Sequence, residues 1–242
     1  MRFPEPPLEG RFLRRYKRFF TDVELDDGST LIAHCPNTGS LKGCKVEGAP
    51  VWLRDSHDPK RKLRFTWQAI QLGGTWVNVD TNLPNKIAKE AFEEGRIPGF
   101  EELASIRTEV KYGEKSRIDL LLEDAAGTLT YVEVKSTTLV EGTTALFPDA
   151  VTARGLKHLG ELEKMVAQGH RALQFYCIAR DDVERFAPAV DIDPAYCEAL
   201  SRVAAAGVEV RAFTTKLEET SFAIHREIPV DLPAEAAPRK KA

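Results

Sequence analysis

The sequence predicts two units in series: a small β-barrel, then a mixed α/β sheet with helices laid against it. Three observations predict this. Through about residue 80, short runs of β-branched and aromatic residues are cut by turn signals. Near Leu83 the apolar spacing changes from the period of a strand to that of a helix. Beyond it, strand-like and helix-like segments alternate as far as Leu217. A chain of 242 residues is long enough for one large domain or two small ones. The boundaries are set at 1–82, 83–228 and a patternless tail at 229–242.

The first unit reads as five strands: FFTDVEL, STLIAHC, APVWLR, LRFTWQAIQL and TWVNVD. Asp27-Gly28, Asn37-Thr38-Gly39, Asp55 to Pro59 and Gly73-Gly74 separate them as turns. Five short strands in so few residues suggest an OB-fold-like barrel, an architecture that binds nucleic-acid strands. The second unit opens with LPNKIAKEAFEEG, a helix with Ile87 and Ala91 on its apolar face and Gly95 as its stop. IRTEVKYG, SRIDLLLE and LTYVEVKS then read as strands. RGLKHLGELEKMVAQG reads as a helix, ALQFYCIAR as a buried strand, DPAYCEALSRVAAAG as a helix and VEVRAFTTKL as the last strand.

Composition narrows the function. The net charge of −3 excludes a uniformly basic coat but not a basic face. Up to residue 85 there are 13 basic and 10 acidic residues, against 21 and 27 afterwards. The basic residues of the first part cluster at Arg11 to Arg18 and at Lys60 to Arg64, and all three tryptophans lie there too. Cations beside aromatics suit a phosphate backbone and its bases, although the tryptophans read better as core. The four cysteines form no CxxC pair or zinc spacing and are expected to be reduced. No apolar run is long enough to span a membrane, and the N-terminus is too charged and too broken by proline for a signal peptide. A soluble cytoplasmic protein is expected.

The chemistry is expected on two adjacent strands. The link EDAAGT makes SRIDLLL and YVEVKS a hairpin, and a turn centred near Ala126 sets Asp119 opposite Glu133. Alternation puts Glu133 and Lys135 on one face. Two close carboxylates repel unless a hard cation such as Mg²⁺ or Mn²⁺ neutralises them. The Val134 carbonyl could give another ligand, and Glu90 or Glu109 could reach the ion; as alternatives, both acids read as solvated. Lys135 could orient a water or stabilise charge on a phosphate. The bland alternative is a pair of exposed strands with a Glu-Lys salt bridge, although an acid inside the apolar run Ile118 to Leu122 is costly without a task. Arg154, Lys157 and His158 open a helix, where cations and free N–H groups attract phosphate or simply meet solvent.

RYKRF (15–19), HCPNTGS (34–40), RKLRFTW (61–67), SRIDLLL (116–122), YVEVKS (131–136), FPDAVTARGLKHL (147–159) and IDPAY (192–196) together resemble the SfsA family, named for sugar fermentation stimulation. The resemblance implies an OB-fold domain followed by a PD-(D/E)XK nuclease-like domain, DNA binding, and a link to sugar-utilisation genes. It matches Asp119, Glu133 and Lys135 to the nuclease acids and lysine, with Ile118 where that pattern often has proline. HCPNTGS is either a phosphate-touching loop, through Asn37 and Thr38, or a tight structural turn.

The resulting expectation is a metal-dependent nuclease acting on DNA or RNA, with Asp119, Glu133 and Lys135 catalytic and Asp119, Glu133, Val134 and Glu90 around the ion. Arg15, Lys17, Arg18, Asn37, Thr38, Arg61, Lys62, Arg64, Arg117, Arg154, Lys157 and His158 are the expected nucleic-acid contacts. The rival is a non-catalytic DNA-binding regulator of sugar (maltose-type) utilisation genes. A sugar-handling enzyme has no supporting motif.

Overall fold

The computed structural model describes residues 6–113 and 116–233. Strands β1 (Leu8–Tyr16), β2 (Phe20–Glu24), β3 (Thr30–His34), β4 (Pro50–Asp55) and β5 (Phe65–Leu72) pair in the order β1–β2–β3–β5–β4 and back to β1. That ring is a closed five-stranded, OB-like barrel, sealed by a parallel contact at His34↔Thr66. β6 (Thr75–Asn78) adds a hairpin outside the ring, on β5. The five expected runs are β2 to β6, so the barrel's first strand falls elsewhere, inside the basic run. Along LEGRFLRRY, Gly10 and Phe12 turn inward and arginines turn out. A Cβ at Gly10 would stand 2.7 Å from the Glu24 carbonyl oxygen, so the strand pair admits only glycine there.

The second unit contains α1 (Pro84–Glu93), β7 (Leu103–Tyr112), β8 (Ser116–Asp124), β9 (Leu129–Thr137), β10 (Leu139–Glu141), β11 (Thr144–Phe147), α2 (Ala153–Ala167), β12 (Arg171–Ile178), β13 (Arg185–Pro188), α3 (Pro194–Ala205), β14 (Glu209–Glu218) and β15 (Ser221–Ile228). Its main sheet runs β15–β14–β12–β9–β8–β7, and β10, β11 and β13 form a smaller one. The central strands β9, β12 and β14 are parallel and the flanking pairs antiparallel. Side chains cap two of the helices: Thr152 accepts from the Gly155 N–H, and Asp193 from the Tyr196 N–H.

α1 covers one face of the main sheet, burying Ile87, Ala88, Ala91 and Phe92 against Leu120, Val132, Phe175 and Phe213. Trp52 and Ala69 of the barrel join the same cluster, so the two units share a core rather than meeting through a linker. Trp67 is fully buried inside the barrel, and Trp52 packs on Trp76 at 4.7 Å. Trp67 and Trp52 are therefore core, each contributing about 2–3 kcal/mol by burial, and Trp76 is partly buried against Trp52. α2 and α3 cover the opposite face. The four cysteines are free and buried.

Residues 229–231, expected in the tail, are tied to the second unit. Phe186 donates to the Pro229 carbonyl, Asp231 donates to the Phe186 carbonyl, and Arg185 pairs with Asp231 at 2.9 Å. Residues 234–242 lie outside the described ones.

Candidate active site

The hairpin between β8 and β9 has the expected register. Asp124 accepts N–H bonds from Ala126 and Thr128 and so shapes the turn, and the ladder runs Glu123↔Leu129 to Leu120↔Val132. There it stops, one step short of Asp119. Ile118 and Leu120 should share a face, yet Ile118 packs under α2 and Leu120 under α1. β7 switches alongside, between Ile106 and Val110, where Glu109 takes a left-handed φ of 53°. Asp119 therefore does not stand flat on the sheet beside Glu133 but turns toward the backbone of β9. Its Oδ2 accepts from the Val134 N–H at 2.8 Å, and its Oδ1 from Asn85 Nδ2 of α1 at 2.8 Å. Within an extended strand a residue's N–H and C=O point to the same edge, so the Val134 carbonyl shares the Asp119 side. The Glu133 carbonyl faces the other way and accepts from Gln174 Nε2.

Glu133 is 2% exposed. Its Oε1 accepts from Lys135 Nζ at 2.6 Å and from His158 Nδ1. Its Oε2 is buried with no hydrogen-bond partner among the described residues. Arg154 Nε approaches His158 Nε2 at 3.4 Å as a donor, which assigns the imidazole proton to Nδ1, facing Glu133. Burial alone would raise the Glu133 carboxyl; the bond from His158 and the charge of Lys135 outweigh it and leave the group below its usual range. Asp119 goes the other way: burial, then the nearby Glu133 charge, push it up to about 6. Asp119 thus feels the charges of Glu133 and Lys135, which touch each other directly. His158, expected at the nucleic-acid surface, is instead buried within the cluster. Glu161, one turn further along α2, is also buried, and its Oε2 likewise lacks a partner among the described residues.

Asp119 forms the floor of an open cleft of about 720 Å³ between barrel and sheet. Arg54, Asp80 and Thr81 line it from the barrel side; Asn85, Lys86 and Lys89 come from α1, and Glu109 from β7. From α1 it is Asn85 that touches Asp119, and Lys86 and Lys89 stand with it along the cleft. Among the described residues no group of three or more His, Cys, Asp or Glu side chains is placed to hold a metal ion. Asp119 and Glu133 give a pair of hard carboxylates, and one Glu133 oxygen has no hydrogen-bond partner among the described residues.

The expected nucleic-acid contacts divide. Lys17, Arg18, Thr38, Lys62, Arg117, Arg154 and Lys157 are exposed. Arg64 is exposed but paired with Asp55 at 2.5 Å, and Arg61 lies half-buried with Nη1 3.3 Å from Thr66 Oγ1. Arg15 is structural, donating to the Asn37 and Arg18 carbonyls. Asn37 is buried, its Oδ1 accepting from the Gly39 N–H. HCPNTGS does cradle an anion, but that anion is Asp149. Its Oδ2 accepts from the Ser40 N–H at 2.9 Å, the Ser40 hydroxyl at 2.9 Å and the Leu41 N–H at 3.2 Å. Two of the sequence motifs are therefore halves of a clasp between barrel and sheet.

Comparison with known proteins agrees with this architecture. Residues 13–79 match the SfsA N-terminal OB domain, and residues 82–221 match the sugar fermentation stimulation protein RE domain. The sugar fermentation stimulation protein homolog of Geobacter metallireducens is 48% identical over 233 residues, covering 96% of this chain and 100% of its own. That of Geotalea uraniireducens is 50% identical over 213 residues, covering 88% and 92%. The solved structure of Pyrococcus furiosus SfsA in complex with Ca²⁺ superposes with a TM-score of 0.86 at 31% identity, over 96% of this chain and 98% of that one. With both units matched in order and nearly the whole length aligned, the chain belongs to the sugar fermentation stimulation protein (SfsA) family.

Proposed function

We propose that the chain is a divalent-cation-dependent phosphodiesterase acting on nucleic acid, DNA or RNA, with its reaction centre at Asp119, Glu133 and Lys135. One observation carries this reading. Glu133 is a buried carboxylate that stays ionised with Oε2 lacking any partner among the described residues, and an ionised oxygen left so is costly unless a cation completes it. Asp119 and the Val134 carbonyl supply further hard oxygens at the same strand edge, which fits Mg²⁺ or Mn²⁺. That a relative's structure was solved with Ca²⁺, another oxygen-seeking cation, supports the choice.

The bound cation would neutralise the two acids and polarise a phosphate oxygen. Asn85 and the Val134 N–H fix the Asp119 carboxylate. His158 holds Glu133 Oε1, leaving Oε2 for the cation. The Lys135 ammonium spends one of its three donors on Glu133 and keeps the others for an attacking water or the charge growing on the phosphate.

Labelled DNA and RNA incubated with Mg²⁺ or Mn²⁺ test the reading. Cleavage is expected with either metal, none in EDTA, and a loss of at least about 100-fold in Asp119→Asn and Lys135→Ala. A wild-type chain that binds these substrates yet cuts none of them with either metal would replace this reading with a non-catalytic DNA-binding role.

A further inference from the structure

The cleft over Asp119 continues onto the outside of the barrel. Strand register builds one row there: Arg54 on β4 pairs with Thr66 on β5, Thr66 with His34 on β3, His34 with Phe20 on β2, and Phe20 with Tyr16 on β1. Their strand neighbours Leu53, Trp67, Ala33 and Cys35 point into the barrel core, so alternation turns the row away from it, with Thr66 covered and Arg54, His34, Phe20 and Tyr16 half-buried. Four strand spacings make it about 19 Å long.

The chemistry changes along the row. Arg54 lines the Asp119 cleft itself. Arg61 lies over the middle, against Thr66. At the far end the Tyr16 and Phe20 rings stack, with centroids 5.4 Å apart and planes at 15°, and the Arg14 guanidinium sits 5.1 Å from the Tyr16 centroid. Beyond them, at the β1–β2 turn beside Lys17 and Arg18, Phe19 is 46% exposed.

We infer that this row is a track for single-stranded nucleic acid, with Arg54 and Arg61 on phosphates and Phe20, Tyr16 and Phe19 stacking unpaired bases. Aromatic faces can take bases only from a strand whose bases are not already paired and stacked in a duplex. The Arg54 end of the row lies in the cleft, so a strand held on it is aimed at Asp119. The delivery rests on the phosphodiesterase reading; the binding does not.

The probe is a fluorescein-labelled oligothymidylate of about 12 nucleotides, titrated in EDTA so that nothing is cut. The double variant Tyr16→Leu/Phe20→Leu keeps the apolar cover of the barrel and removes its aromatic faces. Its affinity should fall about tenfold or more for the single strand and less than about twofold for a blunt duplex of equal length. Phe19→Ser, at an exposed turn, should weaken single-strand binding about fivefold. Arg61→Ser should reduce the salt slope by about one. A wild-type chain that does not bind the single strand, equal losses on both substrates, or an unchanged single-strand affinity would overturn the track. If the double variant melts early, Phe19→Ser decides alone. Because EDTA separates binding from turnover, a chain that never cleaves leaves this result standing, and failure here leaves the Asp119 chemistry standing.

Discussion

Removing Asp149 should loosen the grip of the barrel on the sheet. One carboxylate oxygen accepts three donors from Ser40 and Leu41, more than a hundred residues away in sequence. Hydrogen bonds to a charged group contribute about 1.5–3 kcal/mol each, but three that share an oxygen do not add. Asp149 is also only half-buried, which weakens each through solvent. A net loss of about 3 kcal/mol for Asp149→Ala follows. For a chain of this length that corresponds to a melting temperature lower by about 6–12 °C. Asp149→Asn keeps a neutral acceptor and should lose about 1 kcal/mol, or about 2–4 °C. Thermal unfolding followed by circular dichroism reads both. An Ala variant melting within about 2 °C of wild type would show that the clasp holds nothing and would refute the reasoning.

The same clasp limits Gly39, where a Cβ would stand 2.9 Å from Asp149 Oδ2 and 3.0 Å from Asn37 Oδ1. Gly39→Ala should cost about 1–2 kcal/mol in denaturant unfolding, and a neutral result would mean that the loop yields freely. A second prediction concerns pH. Because the Asp119 carboxyl is raised to about 6 in the folded chain, its protonated form is the favoured one. The EDTA-treated chain therefore gains stability from it below the ordinary carboxylate range and loses that gain as pH rises through about 6. Melting curves from about pH 4 to about 7 should show wild type falling relative to Asp119→Asn, and parallel curves would contradict the assignment. A divalent cation competes with that proton, so its affinity for wild type should rise with pH over the same interval.

Much of this was legible in the sequence because it is local. The EDAAGT turn fixed the β8–β9 register, and the ladder from Glu123↔Leu129 to Leu120↔Val132 follows it. α1 ends just before Gly95, and α2 just before Gly169, as their apolar spacing and stop residues indicate. What was not legible depends on partners far along the chain. The turn of Asp119 toward Val134 arises where β7 and β8 both change face at Glu109, and no residue pattern within β8 announces that. His158 reads as the start of a basic helix until α2 is docked over β9, when it meets Glu133. HCPNTGS has the chemistry of an anion cradle, and only the fold shows that the anion is internal. β1 is missed because its outward arginines disguise the inward Gly10 and Phe12. β10, β11 and β13 are three or four residues each, too short for alternation to register.

Direct titration of Mn²⁺, followed by electron paramagnetic resonance of the free ion, tests the cluster without requiring turnover or nucleic acid. The account predicts a saturable Mn²⁺ site in the wild-type chain that Glu133→Gln abolishes and Lys135→Ala preserves. A Glu133→Gln chain that binds Mn²⁺ as tightly as wild type would contradict it.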